Sequence, residues 1–320
     1  MSRYRTSLSI LCLLAIAVTP AAALELGDDA PPLKIKKWLK GDPVELKKGG
    51  DGKIYVIEFW APWCAPCIRG IPHLTALQKK LKDKGVVVVS VTSEDRLQQL
   101  KQVEEFLKLR GKDMGYVVAY DDGQKTGKAY MEAFNRSSIP QCFVIDRKGK
   151  IVWEGHPQFG LDEVLTQVIG GQYTTEGLAA ISAKIRAKQE ELGKLLNEYE
   201  VLAGQETERT KLKDAGQKLY RKARHDADIM EALAWMILTF EDVKWRDTQL
   251  ALRAAKAAMD ASHGRDASIL DTYAKALFTE GKVKEAISHQ KKALELVGEH
   301  DRARPMFEQR LKEYQQADKT

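Results

Sequence analysis

A run of six β-prone residues at positions 54–59 ends in Trp60-Ala61-Pro62-Trp63 and then meets a cysteine pair, Cys64-Ala65-Pro66-Cys67. Residues 68–84 carry apolar side chains at helical spacing, so a buried strand runs through the pair into a helix. That order places Cys64 at a helix N-terminus, where free N–H groups and the helix dipole stabilise a thiolate. The two intervening residues keep both sulfurs within bonding reach on one turn. A C-x-x-C pair by itself is compatible with redox chemistry or with zinc. A structural zinc site takes four ligands, typically two such pairs. Here only Cys142 and scattered histidines remain, so no metal is expected and thiol redox chemistry is favoured.

The other cysteine, Cys12, lies in a segment with the three parts of a secretory signal. Arg3 and Arg5 form the charged region, residues 8–18 the apolar region, and Ala21-Ala22-Ala23 a small-residue cleavage site. The apolar region is shorter than the roughly 20 residues needed to span a bilayer. Residues 1–23 are therefore expected to be removed and the mature chain to be periplasmic or otherwise extracytoplasmic. Cleavage leaves Cys64, Cys67 and Cys142, an odd number that excludes a disulfide-stapled scaffold. It also leaves 49 basic against 45 acidic residues, a net of +4 without a dense basic run, so nucleic acid is not an expected partner.

Residues 24–171 alternate between strands and helices. The β-branched runs 54–59, 86–92, 116–119 and 142–145 read as strands, and 68–84, 97–107 and 127–134 as helices. Residues 151–153 follow a Lys-Gly turn and form a hairpin with the previous strand, and 161–169 closes the unit as a helix. This is an α/β domain with a mixed sheet. From Leu178 on, strand signals stop. Leu178, Ile181, Ile185, Leu192, Leu195, Tyr199 and Leu202 form one apolar stripe on a long helix. Residues 172–320 are expected to be an all-α helical-repeat domain. Within it Ala274, Gly281, Ala286 and Ala293, with Leu270, Leu277 and Leu294 between them, resemble a tetratricopeptide repeat. An irregular earlier copy carries Ala234, Ala251 and Ala258, with a long turn containing Lys244-Trp245-Arg246-Asp247.

Residues 59–67 resemble the active site of the thioredoxin superfamily, F-W-A-x-W-C-x-x-C. Pro72 matches the proline inside that family's active-site helix, and Ile139-Pro140 its cis-proline before a strand. Gly27-Asp28-Asp29-Ala30-Pro31, the helical insert before Ile139 and the run from Phe143 to Lys150 are similar to the TlpA/ResA-like extracytoplasmic branch. The resemblance covers residues 27–170 and implies an α/β thioredoxin fold. It implies that Cys64 is an exposed nucleophile, Cys67 a buried resolving thiol and Glu58 the acid beneath them that accepts the Cys67 proton. Glu58 is flanked by Val56, Ile57, Phe59 and Trp60, which disfavours the alternative of a solvated strand-end carboxylate.

By the same resemblance, Ile139 and Pro140 form a substrate-docking edge with Trp63, while Trp60 packs in the core. Cys142 on the following strand reads as a packing residue rather than a third redox thiol, and His73 and His156 as incidental. Gly70 stands where the branch often has a glutamate. The expected activity is disulfide reduction on a protein substrate, with electrons from a membrane-borne thiol donor and no cofactor. The helical region is expected to hold a protein partner, with homodimerisation through the 178–202 stripe as the competing use. The alternative from another class is a partner-binding helical protein on a redox-sensing mount. A copper-binding relative is disfavoured by the cysteine spacing and the missing histidine ligand.

Overall fold

The computed structural model describes residues 24–297 and 303–319; the signal segment lies outside the described residues. In chain order the elements are β1 (Ile35–Lys40), β2 (Ile54–Phe59), α1 (Ala65–Leu81), β3 (Val86–Thr92), α2 (Leu100–Arg110), β4 (Val117–Asp121), α3 (Lys125–Gly127, continued by a π-helical turn Lys128–Glu132), β5 (Gln141–Ile145), β6 (Ile151–Gly155) and α4 (Leu161–Gly170). Among the described residues seven helices follow: α5 (Thr175–Ala203), α6 (Arg209–Ala223), α7 (Ala227–Thr239), α8 (Thr248–Ala261), α9 (Ala267–Thr279), α10 (Val283–Leu296) and α11 (Arg304–Ala317).

The strands join in the order β1-β4-β3-β2-β5-β6, which puts β2 near the centre. It runs parallel to β3 and antiparallel to β5. Both faces of β2 are covered, so all six residues are buried and the run is continuously apolar except at Glu58. Alternation sends Ile54, Val56 and Glu58 to one face and Tyr55, Ile57 and Phe59 to the other. The first face packs on α1 and α4 through Ile71, Leu74, Val164 and Leu165. The second packs on Tyr130, Phe134 and the segment before β1.

Three local expectations are corrected. β1 was not expected; it has three lysines in six residues, an edge-strand composition that masks the apolar alternation. Helix α1 starts at Ala65, not 68, because Cys64 caps it and Pro66 sits in the first turn, where its missing N–H costs nothing. The helix expected at 127–134 is a three-residue helix followed by the π turn. The fold class holds: a thioredoxin-like α/β sheet followed by a region of helices.

The 178–202 stripe lies on the single helix α5, and its apolar side chains are used within the chain. Leu178 and Ile181 belong to the core formed by the sheet, α1 and α4. Leu192, Leu195 and Tyr199 belong to a second core with α6, α7 and α8. Ser182 Oγ donates to the Glu154 carbonyl of β6 at 3.1 Å. Gly160, at φ 82°, lies so near α5 that a Cβ there would come within 2.6 Å of Ile185. The stripe that suggested dimerisation therefore joins the sheet to the helices. Leu178→Ala is expected to cost about 2–5 kcal/mol of stability, as for other full truncations in a core. A denaturant midpoint shift equivalent to under 1 kcal/mol would detach α5 from the first core.

The small residues expected at helix crossings are all fully buried, Ala234, Ala251 and Ala258 in one pair and Ala274, Ala286 and Ala293 in the next. Gly281, at φ 73°, ends α9 in the left-handed conformation that a side chain would resist. The long turn between α7 and α8 is held from several sides. Arg246 donates to the Ile237 and Phe240 carbonyls, and Trp245 Nε1 donates to Glu206 O at 3.0 Å under the Arg209 guanidinium.

Candidate redox site

Cys64 and Cys67 form a disulfide at the start of α1. Cys64 has the extended backbone of an N-cap, and its Sγ accepts from the Cys67 N–H at 3.3 Å. The sequence reading made Cys64 the exposed member of the pair. In this disulfide form both are covered, Cys64 at 3% exposure and Cys67 at 1%. The cap geometry turns the Cys64 sulfur over the helix end, and both cysteines belong to the buried cluster formed by the sheet, α1 and α4.

Glu58 faces the same side of the sheet as that cluster. It is 2% exposed, and burial raises its carboxyl pKa to about 7, partly countered by the hydrogen bond that Ser90 Oγ donates to it. Ser90 is its neighbour on β3 and Cys142 its neighbour on β5. Tyr116 completes this surround; burial, then the Glu58 charge, push its phenol well above the ordinary range. Ser90 and Tyr116 were missed in the sequence, where they read as strand residues. The alternation phase relative to Glu58 was the available signal for Ser90.

Cys142 is fully buried, with its Sγ 3.3 Å from Gly155 O. Burial and then the Glu58 and Glu154 charges push its thiol well above the ordinary range, which keeps it protonated. The Ile139-Pro140 peptide bond is cis and leads directly into β5, with Pro140 buried and Ile139 half-buried. Trp63 is 48% exposed, whereas Trp60 is buried with its ring 5.3 Å from that of Phe106. Trp63 Nε1 donates to Asp95 Oδ2 at 3.0 Å, while Asp95 Oδ1 accepts from the Leu97 and Gln98 N–H groups. Asp95 was also missed, since no local pattern ties the loop after β3 to Trp63.

The histidines and Gly70 have neighbours that the sequence did not suggest. His73 Nε2 lies 2.7 Å from Asp162 Oδ2. His156, in the β6–α4 turn, is pushed down to about 4 by burial, countered in part by Asp228 of α7. Gly70 is buried against Gln158 of that turn.

Residues 25–168 match the family model described as Redoxin. Protein FixW of Rhizobium leguminosarum is 30% identical over 161 residues, spanning 49% of this chain and 72% of FixW. Thiol-disulfide oxidoreductase ResA of Bacillus thuringiensis is 30% identical over 137 residues, spanning 42% of this chain and 72% of ResA. The chain belongs to the family of ResA-like thiol-disulfide oxidoreductases, through a redoxin unit at residues 25–168. Among solved structures, a putative thiol:disulfide interchange protein DsbE from Chlorobium tepidum is 27% identical, with a TM-score of 0.37, spanning 46% of this chain and 99% of that one. The match to the redoxin family model stops at residue 168, inside α4, so α5–α11 lie outside the matched residues.

Proposed function

We propose that this ResA-like protein is an extracytoplasmic protein-disulfide reductase, with Cys64 as nucleophile, Cys67 as resolving thiol and Glu58 as proton acceptor. The observation that carries the reading is the buried Glu58, its pKa raised to about 7, on the face of β2 that packs against the cysteine cluster. In the reduced enzyme the Cys64 thiolate attacks one sulfur of a substrate disulfide, forming a mixed disulfide and expelling the other sulfur as a thiolate. Glu58 then takes the Cys67 proton, and the Cys67 thiolate attacks Cys64 Sγ. This closes the Cys64–Cys67 disulfide, breaks the mixed disulfide and releases the second substrate thiol. Two electrons pass to substrate, and a thiol donor at the membrane returns the pair to the dithiol.

Trp63 with Ile139 and Pro140 forms the docking edge, on which the Ile139 backbone pairs with an extended segment. The helical region selects the protein substrate by holding it near the pair. Ala65-Pro66 between the cysteines, with no histidine, supports reduction over oxidation. Residues 1–23 direct the chain out of the cytoplasm. Turnover of insulin disulfides with dithiothreitol as donor tests the activity. Oxidation of a reduced, unfolded protein by the disulfide form, run beside it, tests direction. Faster oxidation than reduction would reverse the assignment.

Asp95→Ala unties Trp63 and the 95–98 turn together. It is expected to raise KM for insulin about fivefold, the equivalent of one hydrogen bond of about 1 kcal/mol, with kcat little changed. A fall in kcat with constant KM would instead place Asp95 in the chemical step.

A further inference from the structure

Arg69 lies two residues past Cys67 on α1, yet its partners are in the helical region. Its guanidinium pairs with Asp228, in the first turn of α7, and with Asp266, the N-cap of α9. The Arg69 side chain is 6% exposed and that of Asp266 2%, while Asp228 is 54% exposed. Asp266 is used twice: Oδ1 accepts from the Ser268 and Ile269 N–H groups and Oδ2 from Arg69. The starting ends of two helices in the helical region therefore meet at one side chain of the helix that carries the cysteines.

The position on α1 matters. Residues three and four apart share a helix face, so Arg69 continues the face that begins at Ala65 and Pro66, the two residues between the cysteines. Both are only partly exposed, and Cys64 is covered. The β6–α4 turn closes in beside Arg69, with Gln158 against Gly70 and His156 near Asp228 and Arg69. A buried ion pair is a poor source of net stability, because desolvation consumes most of the Coulombic gain. It is a sharp source of orientation, since a planar guanidinium meets two carboxylates in one arrangement.

We infer that Arg69 is a specificity-determining positioning residue: it locks the ends of α7 and α9 beside the cysteine pair as a wall that admits slender disulfide segments to Cys64 and excludes bulky ones. The inference rests on the reductase reading for its substrate but not for its geometry. Selectivity here comes from exclusion, which discriminates as effectively as an added attractive contact.

The test uses the full reduced chain. Cys64 is alkylated with iodoacetamide and, separately, with a maleimide carrying a long polyethylene glycol, and the ratio of the two rates is compared between variants. Arg69→Gln is expected to raise the bulky-to-small ratio at least tenfold, and Arg69→Lys, which retains one ion pair, to raise it less. Asp228→Ala changes an exposed partner and so keeps the variant folded; it should move the ratio in the same direction. The kcat/KM ratio for insulin over oxidised glutathione should rise in parallel. Alkylation and turnover ratios within twofold of wild type in both Arg69→Gln and Asp228→Ala would overturn the inference. Changed alkylation without disulfide turnover in any variant, wild type included, would instead sink the reductase reading and leave the wall in place.

Discussion

Cys64→Ser is expected to abolish disulfide turnover, lowering kcat/KM by about three orders of magnitude or more, as when other enzymes lose their nucleophile. A serine hydroxyl at the α1 N-terminus has no accessible anion near neutral pH, whereas a thiol there is partly ionised by the helix end. Among the described residues neither other thiol shares its place at the helix N-cap: Cys67 lies inside α1, and Cys142 is fully buried on β5 with its thiol held protonated. Cys67→Ser should separate the two half-reactions: Cys64 still attacks, but nothing resolves the adduct, and the substrate stays covalently attached. Mass spectrometry of the product with and without dithiothreitol reads this directly. Multiple turnovers by Cys67→Ser would make Cys142 the resolving thiol, and turnover by Cys64→Ser would end the mechanism.

Glu58→Gln should change both the pH dependence of the chemistry and that of stability. In the wild type, resolution of the mixed disulfide is expected to rise with a midpoint near pH 7, where the Glu58 carboxyl ionises. The variant has no acceptor there, so its rate should climb across pH 5–8 without that midpoint and lie below wild type throughout. Single-turnover kinetics settle this, and an unchanged midpoint in the variant returns Glu58 to a structural role.

The stability effect has a definite sign. Burial raises the folded-state pKa of Glu58 from 4.5 to about 7. Its contribution is fully present below about pH 4.5 and is lost as pH rises towards 7, because the unfolded chain releases the proton first. The shift corresponds to about 3 kcal/mol at 1.36 kcal/mol per pKa unit. Relative to wild type, Glu58→Gln should therefore be more stable at pH 8 than at pH 4 by about that amount, read from denaturant midpoints at the two pH values.

The signals that survive in the sequence are local. The strand-to-helix transition at Cys64, the alternation through Ile54, Val56 and Glu58, and the heptad-like stripe from Leu178 each depend on residues close together in the chain. They were enough to place the cysteine pair, the burial of Glu58 and the change from sheet to helices. The edge strand β1 escaped because lysines on an exposed edge obscure alternation.

What only the tertiary structure decided is where distant side chains meet. Ser90 and Tyr116 join Glu58 through strand order, and Asp95 reaches Trp63 across a loop. The α5 stripe could have faced a second copy; it faces two cores of its own chain. Cys64, expected at the surface, is covered. Nothing near Arg69 in the chain marks its partners, because its carboxylates lie 159 and 197 residues away. Helical and strand periodicity specify which face of an element is apolar, but a charge partner that far along the chain is selected by packing alone.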